Sequence, residues 1–287
     1  MNNLALYPNW GYKVFDRRRD EVEPLLLQAI EDGRALEVGL YFHDPATHDC
    51  LNALLPQSGC QLNTHLDHRR LNIFALDDED LAGQLRRQIE NSLQWGASYG
   101  INHLSAFTLT RRPEYQEALE QKLIIQLRLL DGLSKEYRFP IHIENTYHDI
   151  DLYRRIFLAI EREALDQLHF CFDFGHAKVW SLRPLHAWLD FVAELERRGK
   201  QLHFHLHTNR GLSDEHLSFL EAEWMELCDI DEYTSPWNSF EALSILEQRF
   251  PDSRKVMEVN PGEARENLNR VLEEIDRIGQ RNTRVSA

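Results

Sequence analysis

The chain has 287 residues, 43% of them hydrophobic and 28% charged, with a formal net charge of −15. That balance fits an ordinary globular protein and excludes disordered, collagen-like and disulfide-scaffold classes; the surplus of acid argues against a surface that attracts nucleic acid as a whole, because neutralising phosphates needs clustered Lys and Arg. Cys50, Cys60, Cys171 and Cys228 form no Cys-x-x-Cys pair, the opening MNNLALYPNW lacks a leader pattern, and no run approaches the roughly 18 apolar residues of a membrane span, so a cytoplasmic protein with reduced thiols is expected.

In chain order, β-rich runs alternate with helical segments. The expected strands are NLALYP (3–8), ALEVGLYF (35–42), QLNTHL (61–66), YGINHLSAF (99–107), PIHIENT (140–146), LHFCFDF (168–174), QLHFHLHT (201–208) and KVMEVN (255–260). Each is followed by a segment with helical periodicity, the weakest being HDCLNALLPQSG after the second strand. Regular alternation implies parallel strands with helical crossovers, and eight units imply a closed α/β (βα)8 TIM barrel rather than an open doubly wound sheet. No Pro- or Gly-rich linker interrupts the pattern, so one domain over 1–287 is expected. After the first strand, Trp10, Tyr12, Arg17, Arg18 and Arg19 are read as leading into the first helix rather than gripping a phosphate. The longest irregular insert, 211–238, follows the seventh strand, and its acids with Trp224, Tyr233 and Trp237 suit either a lid or a surface excursion.

Strand side chains alternate between faces, so parity can be read directly. His203, His205 and His207 oppose Phe204 and Leu206; His169, Cys171 and Asp173 oppose three phenylalanines; His142 and Glu144 oppose two isoleucines. The apolar face fits a covering of helices, which places the polar face in the lumen. Buried carboxylates and imidazoles must be paired or must bind a cation. With His65, His103 and Glu258 from other strand ends, the set suits zinc, manganese or iron better than calcium. His142, His169, His203 and His207 are read as supporting or packing residues, and Asp214 and His216, taken singly, as surface groups.

Together these residues resemble the xylose isomerase-like TIM barrels, the superfamily of endonuclease IV and the sugar phosphate isomerases and epimerases. The resemblance covers about positions 60–280 and rests on NTHLDH, WGASYGINHL, IENT, FCFDFGHA, FHLHTNR and VMEVNP. It implies a divalent metal held by Glu144, Asp173, His205 and Glu258. In an isomerase or epimerase this would be one manganese, magnesium or cobalt ion, with His176 on the substrate and Glu144 and Glu258 moving protons. In an endonuclease IV-like site there would be up to three zinc ions, with His65 and His103 joining Glu144 on one and His176, Asp214 and His216 holding another. All nine positions are filled, which favours a multinuclear zinc phosphoester hydrolase, with the isomerase or epimerase as the alternative. A Gly-x-Gly turn is absent after SDEH, acids Glu221, Glu223, Glu226, Asp229, Asp231 and Glu232 follow, and His68 stands where the nuclease has tyrosine. These departures argue against DNA and for a small substrate, phosphorylated or a sugar. No membrane partner is expected.

Overall fold

The computed structural model describes residues 7–67, 79–104, 112–211, 213–221 and 240–285. Eight parallel strands close into a barrel in sequence order: β1 (Trp10–Phe15), β2 (Ala35–Gly39), β3 (Leu62–His65), β4 (Gly100–His103), β5 (Ile141–Glu144), β6 (Leu168–Asp173), β7 (Leu202–Leu206) and β8 (Arg254–Met257), which pairs back onto β1. The crossovers carry helices α1 (Arg19–Asp32), α2 (Pro45–Leu54), α3 (Glu79–Gln94), α4 (Pro113–Tyr137), α5 (Ile150–Arg162), α6 (Phe174–Trp180), α7 (Leu185–Arg197) and α8 (Phe240–Arg249), and α9 (Pro261–Val285) follows β8. None of the described helices is long and apolar enough to cross a membrane.

The first strand departs from expectation. It is Trp10–Phe15, not 3–8; Tyr7 and Pro8 precede it outside any strand, and 3–6 lie outside the described residues. NLALYP contains an unbroken apolar run, whereas a glycine and a lysine interrupt WGYKVF, so local patterning favours the former. In the barrel that glycine and lysine are on the inner face. Trp10 and Tyr12 therefore belong to a strand, not a loop, and point outward: the Trp10 indole donates to Glu247 on α8 and the Tyr12 hydroxyl donates to the Leu25 carbonyl on α1. Arg18 and Arg19 do begin α1. The weak second helix forms because Asp44 caps it, accepting from the Thr47 amide, and Pro45 fits its first turn.

Outward-facing strand aromatics Phe170, Phe172 and Phe204 meet Phe157 of α5 and Trp188 and Phe191 of α7 in the layer between barrel and helices; all are buried, with edge-on contacts such as Phe157–Phe170 at 5.4 Å. Barrel closure sets height as well as direction. Lys13 is in register with Glu37, His103 with Glu144, and Asp173 with His205, so polar side chains meet in layers.

Gly11 marks where β1 and β2 crowd: a Cβ there would stand 1.8 Å from the Ala35 carbonyl oxygen, whereas one on Gly132 of α4 would meet nothing within 4 Å. Gly11→Ala is expected to destabilise by about 1–3 kcal/mol or more, and Gly132→Ala to stabilise by roughly 0.5–1 kcal/mol. Urea unfolding midpoints of the two variants should move in opposite directions.

Candidate metal centre

At the C-terminal mouth of the barrel the strands deliver their last inward side chains to one place. Asp173, the final residue of β6, caps α6: its Oδ1 accepts from the His176 amide at 2.6 Å, which leaves Oδ2 directed into the lumen. Asn145 clamps the same turn, its Oδ1 accepting from the Asp173 amide at 2.7 Å and its Nδ2 donating to the Asp173 carbonyl at 2.8 Å. The Asp-x-x-His spacing is thus a helix N-cap that also aims a carboxylate oxygen inward.

Glu144, Asp173, His205 and Glu258 are all buried and offer ligand atoms within 4.8 Å of one another. Glu144 Oε1, Asp173 Oδ2, His205 Nδ1 and Glu258 Oε2 make no hydrogen bond. His205 Nδ1 lies 2.8 Å from Glu258 Oε2 and 3.2 Å from Glu144 Oε2. Its other nitrogen, Nε2, is 3.0 Å from Glu37, which selects the ring orientation. Three carboxylates and an imidazole so placed form a donor set for a divalent cation.

Two further groups adjoin this one. His65 and His103 bring their Nε2 atoms to 3.2 Å from each other and to 3.0 and 2.9 Å from Glu144 Oε2. On the other side, His176, His207, Asp214 and His216 also converge within 4.8 Å. His176 Nδ1 is 2.9 Å from the Asn145 carbonyl and His216 Nδ1 is 3.0 Å from the Glu258 carbonyl, so both rings turn Nε2 toward Asp214 Oδ2, at 3.2 and 3.1 Å. Asp214 and His216 are therefore not plain surface groups; an antiparallel bridge between Thr208 and Leu217 folds their loop over the barrel. All nine candidate residues come together. His207, expected to be packing, joins them: its Nε2 is 3.1 Å from Asp173 Oδ1, and its ring stacks on His216 at 4.0 Å. Gly175 leaves it room, since a Cβ there would lie 2.0 Å from the imidazole.

Sequence reasoning missed three residues. Lys13 is fully buried, with Nζ 2.6 Å from Glu258 Oε1, 3.3 Å from Glu37 Oε1 and 3.4 Å from the Tyr41 hydroxyl. Glu37 also accepts from Asn63 and faces His203. The Tyr41 hydroxyl is 2.7 Å from His65 Nδ1. The strand parity used for β5 to β7 would have found Lys13 and Glu37, each a charge inside an otherwise apolar strand. His203 supports the layer beneath, its Nδ1 2.7 Å from the Tyr99 hydroxyl, and His142 and His169 lie near it. His68, Glu223, Glu226, Asp229, Asp231, Glu232, Trp224, Tyr233 and Trp237, and with them most of the insert, fall outside the described residues.

Electrostatics follow from this crowding. Burial would raise the carboxyl pKa of Glu144, but His103 and His205 hold it well below the usual range; burial likewise opposes Lys13 and His205, which keep Glu258 low. Burial and the Lys13 charge push His65 down to about 4, whereas Asp214 overcomes burial to bring His216 up to about 9. Above the centre opens a cavity of about 510 Å3, lined by Phe15, Arg17, Tyr41, Phe42, Tyr147 and His176 among others.

Lys13 is the only lysine or arginine within ion-pair distance of Glu37 or Glu258 among the described residues. Lys13→Met should destabilise the chelator-treated protein by about 3–5 kcal/mol, since it strands buried carboxylates. Adding Glu37→Gln should recover part of that loss. Urea unfolding of the single and double variants measures the coupling, and additive losses would show that Lys13 and Glu37 do not act as a pair.

No protein-family model and no curated protein matches the sequence. Solved structures do match. A zinc chloride-soaked protein from Thermus thermophilus, TTHB071, is 23% identical with a TM-score of 0.62 over 93% of this chain and 98% of that one. A D-tagatose 3-epimerase-like protein is 18% identical with a TM-score of 0.63, and 3-keto-D-glucoside 4-epimerase, YcjR, from E. coli is 11% identical with the same score, each over 93% of this chain and 98% of its own. The chain has the fold of the xylose isomerase-like TIM barrels.

Proposed function

We propose that this protein is a divalent-metal-dependent isomerase or epimerase of a small sugar-like substrate. The observation that carries this reading is the buried set Glu144, Asp173, His205 and Glu258, whose ligand atoms lie within 4.8 Å of one another beneath an open cavity. The balance thereby moves from the hydrolase favoured by the sequence to its alternative, with support from epimerases of the same fold, including a D-allulose 3-epimerase in complex with D-allulose. At about 510 Å3 the cavity falls within the usual range for small-molecule sites, roughly 300–1,000 Å3.

A bound divalent cation would polarise a substrate carbonyl and stabilise charge on its oxygen. Glu144, Asp173, His205 and Glu258 would hold it. Glu144 and Glu258 flank His205 from two sides, so one carboxylate can take a proton from the carbon beside the carbonyl while the other returns one to the opposite face. Lys13 keeps Glu258 Oε1 engaged and leaves Oε2 to face the centre. His176, at the cavity floor, would touch a substrate oxygen. The aromatic wall of Phe15, Tyr41 and Phe42 would exclude water from the exchanging proton.

The second reading, a multinuclear zinc phosphoester hydrolase, has its own observation. His65 and His103 share Glu144, and His176, His207, Asp214 and His216 form a separate group, so residues for three ions are present. Zinc is then the expected metal, against manganese, magnesium or cobalt for the isomerase.

Metal-replete protein incubated with ketoses in D2O should place deuterium on the carbon beside the carbonyl, and Glu144→Gln or Glu258→Gln should each slow this by about 10²–10⁴-fold. Chelation should abolish exchange and one metal equivalent restore it. Three tightly held zinc ions per chain, phosphate-ester cleavage and no deuterium uptake would overturn the isomerase. Retention of full activity and metal content by the Asp214→Ala, His216→Ala double variant would instead dismiss the trinuclear hydrolase.

A further inference from the structure

The opposite, N-terminal end of the barrel holds a second polar cavity, of about 410 Å3, that the chemistry above does not use. In TIM barrels this face ordinarily serves stability, so an open polar cavity here needs a reason. Its walls include Gln61, Tyr99, His142, Lys200, Ser253 and Arg254. Arg254 lies with its guanidinium 5.1 Å from the centre of the Tyr99 ring and donates to two neutral amide oxygens, Asn63 Oδ1 at 3.0 Å and Gln61 Oε1 at 3.4 Å. Among the described residues neither Arg254 nor Lys200 has a carboxylate within 4.0 Å.

In a chain of net charge −15, two cations lining one concavity with no carboxylate within 4.0 Å of either are out of keeping with the excess of acid. Glu196 and Asp252 also line the cavity, but both are exposed at its rim, where solvent screens them. Deeper in, His142 is 1% exposed and its Nδ1 has no hydrogen-bond partner. A buried ring nitrogen with no partner is available to hydrogen-bond a ligand in the cavity. Burial also lowers the Lys200 ammonium, against the opposing charges of Asp166, Glu161 and Asp131, none of them within 4.0 Å of it. A planar guanidinium fork, an ammonium and a buried imidazole around a cavity of this size are matched by an oxyanion, which takes both charge and hydrogen bonds.

We propose that the N-terminal mouth of the barrel is a binding site for a small oxyanion, a phosphate- or carboxylate-bearing metabolite, with Arg254 and Lys200 supplying charge and His142 a buried hydrogen-bond donor. The site is separate from the metal centre and does not depend on which reaction occurs there.

Calorimetric titration of inorganic phosphate and, separately, of malonate, at constant ionic strength and in the presence of chelator, tests this. One saturable site per chain is expected, and the tighter of the two anions identifies the class. Affinity should fall at least tenfold in Arg254→Gln and in Lys200→Gln, recover partly in Arg254→Lys, and be unchanged in Asp173→Asn at the metal centre. Lys200 is half-buried just before β7, outside any helix or strand, so its variant keeps the test open if Arg254→Gln fails to fold. Absence of saturable binding by either anion, or binding that both cation variants leave unchanged, overturns the proposal.

Discussion

Burying carboxylates inside a barrel is the constraint on which this structure turns. Glu37, Glu144, Asp173 and Glu258 all enter the lumen, where water cannot solvate them. An isolated ion there costs several kcal/mol, so each must be answered by a cation or a set of donors. Lys13 answers for Glu37 and one oxygen of Glu258. The remaining oxygens face histidines, and those histidines in turn are held by backbone carbonyls, by Tyr41 and by Glu37. The lumen is therefore a network of ion pairs and hydrogen bonds in place of the layered aliphatic filling usual for the fold.

Every level of structure contributes to that network. Strand register puts Lys13 beside Glu37 and Asp173 beside His205 at common heights. A helix cap spends one oxygen of Asp173 and leaves the other. A glycine at 175 gives His207 the space to close on Asp173 and His216. The precision of the centre comes from rigid elements on all sides, which hold the ligand atoms in place.

The two ends of the barrel are joined by polar contacts. Arg254 donates to Asn63, Asn63 donates to Glu37, and Glu37 sits against His205 Nε2 at 3.0 Å. Tyr99 and His203 form a parallel link to the same glutamate. Glu37 is thus the point at which the lower cavity and the centre meet, an arrangement in which polarisation along the chain strengthens each bond in a low-dielectric interior.

The sequence by itself determined the alternation of strands and helices, hence the closed barrel, because periods of 2 and 3.6 residues are local properties. It also determined which residues of β5, β6 and β7 face inward, since alternation of polar and apolar side chains in HIE, HFCFD and HFHLH leaves one consistent parity. It pointed to the wrong first strand, because the apolar run in NLALYP has the stronger local pattern and WGYKVF is broken by glycine and lysine. Nor could it tell that His207 joins Asp214 and His216, or that Asp173 is both cap and inward donor. Those facts depend on residues far apart in the chain meeting at one height, which only closure of β8 onto β1 and the resulting register decide.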